Sequence, residues 1–393
     1  MAKGSHSKDS TRKKSIHLFV TNDLSGDQRM HRICLTLHEA GYEVHLIGRS
    51  LPHSPELEQR PYHTHRFHLP VNRGMWFYLV YNLALIGWLL KRRPDLIVSN
   101  DLDTLLGCFL GSKLRQRVLV YDSHEYFTEV PELIHRPRVR AVWLRIERWI
   151  LPRIKYCYTV NESLARIYRT LYGIPMQVIR NVPIPKPLPP SPSPSEEKIL
   201  IYQGALNIGR GLELMVDAMS YLPEHCSLWI IGRGDVEATL RTQISKSSAA
   251  SRIKMWGFMK PQELAKVTPQ AHLGLSIEED LGGNYHYASP NKVYDYIQAH
   301  IPVLVSDLPE MRHTVETYEV GWVLEEKERT PERLAYRIRS IFSEQKQSEY
   351  EHRKNACHKA AELLNWEAEK QSLLAIYVQA LGLETSLIAN REE

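Results

Sequence analysis

The sequence predicts an α/β protein made of two doubly wound, Rossmann-like domains. Short apolar runs alternate with amphipathic helical segments through both halves of the 393-residue chain, and a proline-rich stretch separates the halves. This alternation is typical of βαβ units and therefore of parallel sheets. The length also fits two domains, since about 100–200 residues per domain is usual.

The first half contains five apolar runs of strand length, at 16–20, 44–47, 96–98, 118–121 and 156–160. A helix is expected between the first two runs, because Met30, Ile33 and Leu37 share one face and Gly41 stops it. The second half repeats the pattern. Its predicted strands are 199–202, 228–231, 253–256, 273–277 and 303–305, and its predicted helices are 212–219, 236–244 and 291–299.

Proline marks the boundary between the domains. Seven prolines between positions 183 and 194 exclude a helix or a sheet and predict a semi-rigid connector. The predicted organisation is a disordered polar tail, a first domain, a linker, a second domain and a final helical stretch, at 1–14, 15–182, 183–195, 196–365 and 366–393. Two such domains are expected to leave a cleft at the carboxyl ends of their strands, where these folds bind ligands.

Composition narrows the class of protein. The net charge of +5 is too small to indicate nucleic-acid binding, although it suits anionic ligands or an anionic membrane surface. The five cysteines are dispersed, which argues against a disulfide framework or a structural zinc site. A cytoplasmic location is expected, because the first residues contain no apolar signal stretch.

The segment 75–90 is strongly apolar and ends in the basic cluster Lys91, Arg92 and Arg93. Its 16 residues fall short of the roughly 20 that a spanning helix needs. The favoured interpretation is a buried helix. A helix lying on a membrane surface, with the basic cluster at anionic headgroups, is the alternative.

The predicted helix at 291–299 begins with residues suited to an anion. Ser289 is expected to cap it and Pro290 to open it. The helix start at Asn291 offers unpaired N–H groups for phosphate, and Lys292 adds a full positive charge. Asp295 follows one turn later and is expected to accept hydrogen bonds from sugar hydroxyls. A capped surface helix with a solvated lysine is the plainer alternative.

Residues 290–310 resemble the donor-site helix and following strand of the retaining GT-B glycosyltransferases of family 4. That family has an acidic residue at the position of Asp295. Its first glutamate, eight residues earlier, would fall on Tyr287. Glu278 and Glu279, in a longer loop, are the alternatives for this carboxylate.

Two further regions resemble donor-domain loops of the family. In the first, Arg210 takes the place of a phosphate-binding lysine, and Ala205 stands where the family often has arginine. Glycines there would let the backbone approach a diphosphate. The second region resembles the nucleotide side of the site, near base and ribose. The residues concerned are Gly204, Gly209 and Gly211 in the first, and Gly232, Gly234, Gly257 and Phe258 in the second. Tight turn geometry alone is the alternative for both.

In the first half, His124 follows a predicted strand and resembles a family histidine beside the donor sugar, with a positioning role. The acceptor side is predicted to include Gly26, Asp27, Arg29 and Glu125. For Asp27, a helix-capping role and an acceptor-binding role are equally expected.

The resemblance covers roughly residues 16–380 and implies that the last helix crosses back to the first domain. It implies retaining transfer from a nucleotide sugar to a glycan or lipid-linked acceptor. Arg210, Lys292 and the helix start would replace a metal ion, so no metal and no cofactor is expected. A nucleotide-sugar epimerase and a non-catalytic scaffold remain the alternatives.

Overall fold

The computed structural model describes residues 12–185, 187 and 197–383. The described residues form two compact units. The first comprises the residues up to Thr128, Leu133–Arg180 and those from Lys370 onward, and the second comprises Glu129–Glu132 and Asn181–Glu369. Most of the predicted tail and of the predicted linker, and the last ten residues of the predicted final helix, lie outside the described residues.

The elements alternate along the chain as the sequence predicts. The strands are β1 Ser15–Phe19, β2 Glu43–Ser50, β3 His63–His68, β4 Leu96–Asn100, β5 Val118–Ser123, β6 Tyr156–Thr159, β7 Met176–Val178, β8 Lys198–Gln203, β9 Cys226–Ile231, β10 Ile253–Gly257, β11 Leu273–Ser276, β12 Val303–Ser306 and β13 Gly321–Leu324. The helices are α1 Gln28–Glu39, α2 Gly74–Lys91, α3 Leu102–Arg115, α4 Pro131–Ile134, α5 Pro137–Ile150, α6 Glu162–Tyr172, α7 Leu212–Ala218, α8 Glu237–Lys246, α9 Pro261–Val267, α10 Gly283–His286, α11 Asn291–Gln298, α12 Pro309–Tyr318, α13 Pro331–Ile341, α14 Gln347–Leu363 and α15 Trp366–Ala380.

Each unit contains one parallel sheet. The first has the strand order β3-β2-β1-β4-β5-β6-β7, and the second has the order β10-β9-β8-β11-β12-β13. The central strands are buried along their whole length, as expected when helices cover both faces of a sheet. The predicted α/β class with two Rossmann-like sheets is therefore confirmed.

Three strands were missed by sequence reasoning. β3 has the sequence HTHRFH, which lacks the apolar run that identifies a buried strand. β7 has only three residues, and β13 only four. All three are border strands of their sheets. β3 is polar, and β7 and β13 are too short for an apolar run to identify them.

Helix α2 contradicts the favoured interpretation of its segment as a buried helix. One face is buried, but Trp76 is 61% exposed, Leu83 59% and Leu90 47%. These positions recur every seven residues and so lie along one side of the helix. Within the described part of the chain, α2 is the one helix long and apolar enough to cross a membrane, by length and composition only.

A buried asparagine fixes the other face of α2. Asn82 donates to the Asp103 carbonyl at 2.9 Å and accepts from the Gly107 amide at 2.7 Å. These hydrogen bonds hold α2 against α3. They explain why a polar residue interrupts the apolar segment, since a buried amide must be paired.

Candidate functional site

Both sheets have a point where the strand order reverses, and this is where doubly wound folds bind ligands. In the second unit it lies between β8 and β11. In the first unit it lies between β1 and β4. Most of the sequence-predicted site residues follow these strands or their neighbours, at the carboxyl edges of the sheets.

In the second unit, two cations converge on one buried carboxylate. The Lys292 Nζ atom lies 2.5 Å from Glu278 Oε1, and the Arg210 guanidinium lies 3.6 Å from the same oxygen. Ser276 donates to the other oxygen of Glu278 at 2.8 Å. Three charged groups from three different segments therefore meet just beyond β11. Their formal charges leave one net positive charge.

Burial and neighbouring charges both shift the pKa values of Glu278 and Lys292. Burial favours the neutral acid at Glu278, but Lys292 and then Arg210 outweigh it, so the pKa of Glu278 lies below its usual range. Burial lowers the pKa of Lys292, with Arg210 adding to the shift and Glu278 opposing it. The alternative of a solvated lysine is wrong, because the Lys292 side chain is 8% exposed. Its ammonium also lies 4.3 Å from the centre of the Tyr202 ring.

The loop after β8 reaches this cluster through glycine. Gly204 has φ 140°, and a Cβ atom there would lie 3.3 Å from Lys292 Cε. A Cβ atom on Gly232, in the turn after β9, would lie 1.8 Å from the Gly204 carbonyl oxygen. Only glycine therefore allows the two turns to pass each other beside Lys292. Tight turn geometry alone, without a ligand, therefore explains these two glycines.

The remaining donor-side glycines lie in the same set of loops. Gly209 and Gly211 both have positive φ and pack against the segment after β11, while Gly234 packs against Leu206. Gly257 ends β10, and its carbonyl accepts from the Gly232 amide at 2.8 Å. The predicted loop residues thus lie along the carboxyl edge of the second sheet.

The start of α11 differs from the prediction in one detail. Pro290 is the cap residue and the helix begins at Asn291. Ser289 is not the cap, and its hydroxyl instead lies 3.0 Å from the Tyr294 hydroxyl. The predicted serine cap is therefore wrong. The proline φ of −63° already suits a helix entry, so the helix starts without a side-chain cap.

Asp295 and Glu279 occupy different surroundings. Asp295 accepts from Gln203 Nε2 at 3.0 Å, and Gln203 in turn accepts from Thr268 at 2.7 Å. The Glu279 amide donates to the Gly209 carbonyl at 2.8 Å. The structure places Glu278, and not Glu279, against the two cations. Phe258 lies outside the core and is 63% exposed.

In the first unit, His124 lies between two carboxylates. Its Nε2 atom is 2.8 Å from Asp122 Oδ2, and its Nδ1 atom is 3.3 Å from Asp101 Oδ2. Its backbone amide also donates to Asp101 Oδ1 at 2.7 Å. Burial disfavours the charged imidazole, but the two carboxylates outweigh it and raise the pKa of His124 to about 9. His124 is therefore an imidazolium at neutral pH, which is unsuited to act as a base.

The surroundings of Arg29 contradict its prediction as an acceptor-binding residue. It is 5% exposed, and its guanidinium donates to Asp122 at 2.9 Å and to the Ile179 carbonyl at 3.2 Å. The prediction that Arg29 is available to an anionic acceptor is wrong, because the buried Asp122 carboxylate needs this partner. Burial opposes ionisation of Asp122, but Arg29 and then His124 lower its pKa.

The other acceptor-side residues surround the start of α1 and the end of β5. Asp27 caps α1 by accepting from the Met30 amide at 2.9 Å. Gly26 is exposed and precedes this cap. The Glu125 carbonyl accepts from the Ser123 hydroxyl at 3.0 Å. Capping thus accounts for Asp27 without any ligand.

Asp101, the second carboxylate beside His124, was not predicted from the sequence. Asp101 directly follows β4 and has φ 61°, an uncommon conformation for a residue with a side chain. A polar residue at the carboxyl end of a buried central strand was the signal available for it.

Known structures share this architecture. A glycosyltransferase from Rickettsia africae ESF-5 is 14% identical, with a TM-score of 0.73 over 94% of this chain and 99% of its own. Anabaena HepE in complex with UDP and glucose is 16% identical, with a TM-score of 0.69 over 93% of this chain and 100% of its own. A putative UDP-N-acetylglucosamine 2-epimerase from Listeria monocytogenes is 13% identical, with a TM-score of 0.63 over 94% and 97%. The fold is that of the GT-B glycosyltransferases.

Sequence profiles identify the family. Glycosyltransferase Family 4 matches residues 27–183, and Glycosyl transferases group 1 matches residues 186–362. The chain therefore belongs to the family 4, group 1 glycosyltransferases. No curated protein matches the chain significantly in sequence.

Proposed function

We propose that this chain transfers a sugar from a nucleoside-diphosphate sugar, and that the donor diphosphate binds beside Arg210 and Lys292. The observation that carries this proposal is the convergence of both cations on Glu278 at the reversal point of the second sheet. The matched group 1 region includes all three residues. The UDP bound to Anabaena HepE supports a nucleotide donor.

The leaving group of such a transfer is a nucleoside diphosphate, so the main task is to stabilise negative charge on its phosphate. Lys292 and Arg210 are fixed by Glu278 before any ligand arrives, and preorganised charges of this kind stabilise a transition state best. The nearby glycine turn and the first N–H groups of α11 add dipoles. We therefore propose that the reaction needs no metal ion and no other cofactor.

The transfer is proposed to retain the anomeric configuration, as the resemblance to family 4 implies. We assign to Glu278 the role of holding Lys292 and Arg210 in place, and to Asp295 hydrogen bonds with the hydroxyls of the donor sugar. His124 is assigned a positioning role in the first unit. Its raised pKa supports this assignment, because a protonated imidazole donates hydrogen bonds and accepts no proton.

Calorimetric titration with UDP, GDP and ADP in EDTA tests the donor site. One nucleotide is expected to bind without metal to the wild-type protein and to be lost from Arg210→Ala/Lys292→Ala. Tyr336→Ala, on the exposed face of α13, is the matched control and should bind normally. If none of the nucleotides binds to correctly folded protein, the transferase proposal fails and a scaffold role replaces it.

We further propose that the acceptor is lipid-linked or a glycan precursor, and that the protein works at the cytoplasmic membrane surface. The exposed stripe of α2 supports this, together with Lys91, Arg92 and Arg93 at its end. Apolar side chains beside a basic cluster suit an anionic bilayer surface. α5 contacts α2 through the rings of Tyr78 and Trp143, and it also exposes Val142 and Trp149.

Vesicle sedimentation tests this surface. The protein is expected to sediment with anionic vesicles, and Trp76→Ser/Leu83→Ser should reduce the bound fraction at least about tenfold, because two large apolar side chains are lost. Leu363→Ser, which removes an equally exposed side chain from α14, is the control. Equal sedimentation of all three proteins would exclude α2 as the membrane contact.

A nucleotide-sugar epimerase remains the second candidate, because a putative epimerase has the same fold. The product of an epimerase is again a nucleotide sugar, and the reaction needs no acceptor. Release of free nucleoside diphosphate that depends on added acceptor therefore distinguishes transfer from epimerisation.

A further inference from the structure

A cluster of side chains of the kinds that bind metal ions lies at the amino-terminal ends of β2 and β3 in the first sheet. Glu43 and His45 are two residues apart on β2, so they project from the same face. His63 begins β3 and stands directly opposite His45 in the parallel register. The ligand atoms of these three residues all lie within 4.8 Å of one another.

We propose that Glu43, His45 and His63 form a binding site for a zinc-type divalent cation, separate from the donor site. Two imidazoles and one carboxylate are a ligand set that zinc accepts, with water completing the tetrahedron. The proposal rests on the placement of three residues by strand register. It does not depend on the proposed transferase activity.

The distances suit this assignment. His45 Nε2 lies 3.0 Å from Glu43 Oε1, close to the roughly 3.3 Å between neighbouring ligands of a tetrahedral zinc with bonds near 2.05 Å. The His45 and His63 rings are stacked with centroids 4.6 Å apart. His63 is exposed, and its ring nitrogen lies within 4.8 Å of the ligand atoms of Glu43 and His45.

The surroundings hold His45 in place. His17 of β1 is opposite His45 in the register, and their ring centroids are 4.5 Å apart. Trp88 of α2 donates to His17 Nδ1 at 3.0 Å. This packing supports the inner side of the site while Glu43 and His63 stay open to solvent. Burial lowers the pKa of His45, with Glu43 opposing the shift and Arg92 adding to it. The positive charge of Arg92 will limit the affinity for a cation.

The bound cation would tie β3 to β2 at the border of the sheet. β3 pairs with β2 on one side, and it ends the strand order of the first sheet. Edge strands are the least constrained part of a sheet. A cation held by both strands would therefore stabilise the folded first unit by mass action.

The test uses the full chain after treatment with EDTA and removal of the chelator. Addition of ZnCl₂ is expected to load one equivalent per chain, measured by plasma mass spectrometry after gel filtration, and to raise the Tm by about 3 °C or more. His63→Ala should abolish both effects. Its side chain is exposed, so the fold should survive. Glu43→Gln should weaken both effects.

His53→Ala is the matched control, because His53 is exposed in the loop after β2 and lies outside the cluster. It should load zinc as the wild type does. The proposal is overturned if wild-type protein retains no zinc, or if His63→Ala retains as much as His53→Ala.

Discussion

Replacing Lys292 by methionine is expected to lower the rate of sugar transfer by about 10²–10³-fold, the usual loss when one preorganised charge is removed from a transition state. Methionine fills much of the volume of lysine but cannot donate to a phosphate. The loss should appear in kcat as well as in nucleotide affinity, since the negative charge on the leaving group grows during the reaction. Steady-state kinetics in EDTA measures both.

The same substitution also leaves Glu278 buried without its closest partner. Breaking a buried ion pair on one side costs about 3–5 kcal/mol, and Arg210 at 3.6 Å compensates only part of that loss. The control is the double variant Lys292→Met/Glu278→Gln, in which both charges are removed. Its stability should return toward that of the wild type while its activity stays low. Recovery of activity in the double variant would contradict the assigned role of Lys292.

His124 gives the second large effect, a dependence of stability on pH. The pKa of His124 is raised from 6.5 to about 9 in the folded protein, so its contribution is complete below pH 6.5 and is lost as the pH rises through 9. The shift corresponds to about 3 kcal/mol. Urea unfolding should therefore show a fall in stability between pH 7 and pH 9.5 in the wild type, and His124→Gln should show much less of this fall.

A direct titration separates this effect from other groups. NMR of histidine ring signals, assigned by comparison with His124→Gln, should show one imidazole that titrates near pH 9. A titration of His124 near pH 6.5 would contradict the ion pairs with Asp101 and Asp122.

The fold was largely predictable because parallel sheets need continuous apolar strands. β1, β4 and β8 carry such runs and were located within one or two residues. β3 was not predictable in this way, because its histidines leave no apolar run. Its position follows only from pairing with β2, which is a tertiary fact.

The sequence identified most residues of the candidate site, but it did not identify which of the charged residues form ion pairs with one another. The sequence indicated Lys292 and Arg210 as cations and left Glu278 and Glu279 as alternatives. The choice of Glu278 depends on how the segment after β11 turns toward α11. Arg29 shows the reverse case. Its charge suggested a ligand, but burial against Asp122 makes it a structural partner. Such pairings join residues far apart in the chain and leave no local signal.

The activity proposed for this chain is sugar transfer without a metal ion. The most direct measurement is the release of nucleoside diphosphate from UDP-, GDP- and ADP-sugars in EDTA, with lipid-linked and glycan acceptors, by the wild type and by Lys292→Met. We expect acceptor-dependent release by the wild type, an anomeric configuration in the product equal to that of the donor, and a large loss of activity in the variant. Release that requires added Mg²⁺ or Mn²⁺, or that is unchanged in Lys292→Met, would contradict it.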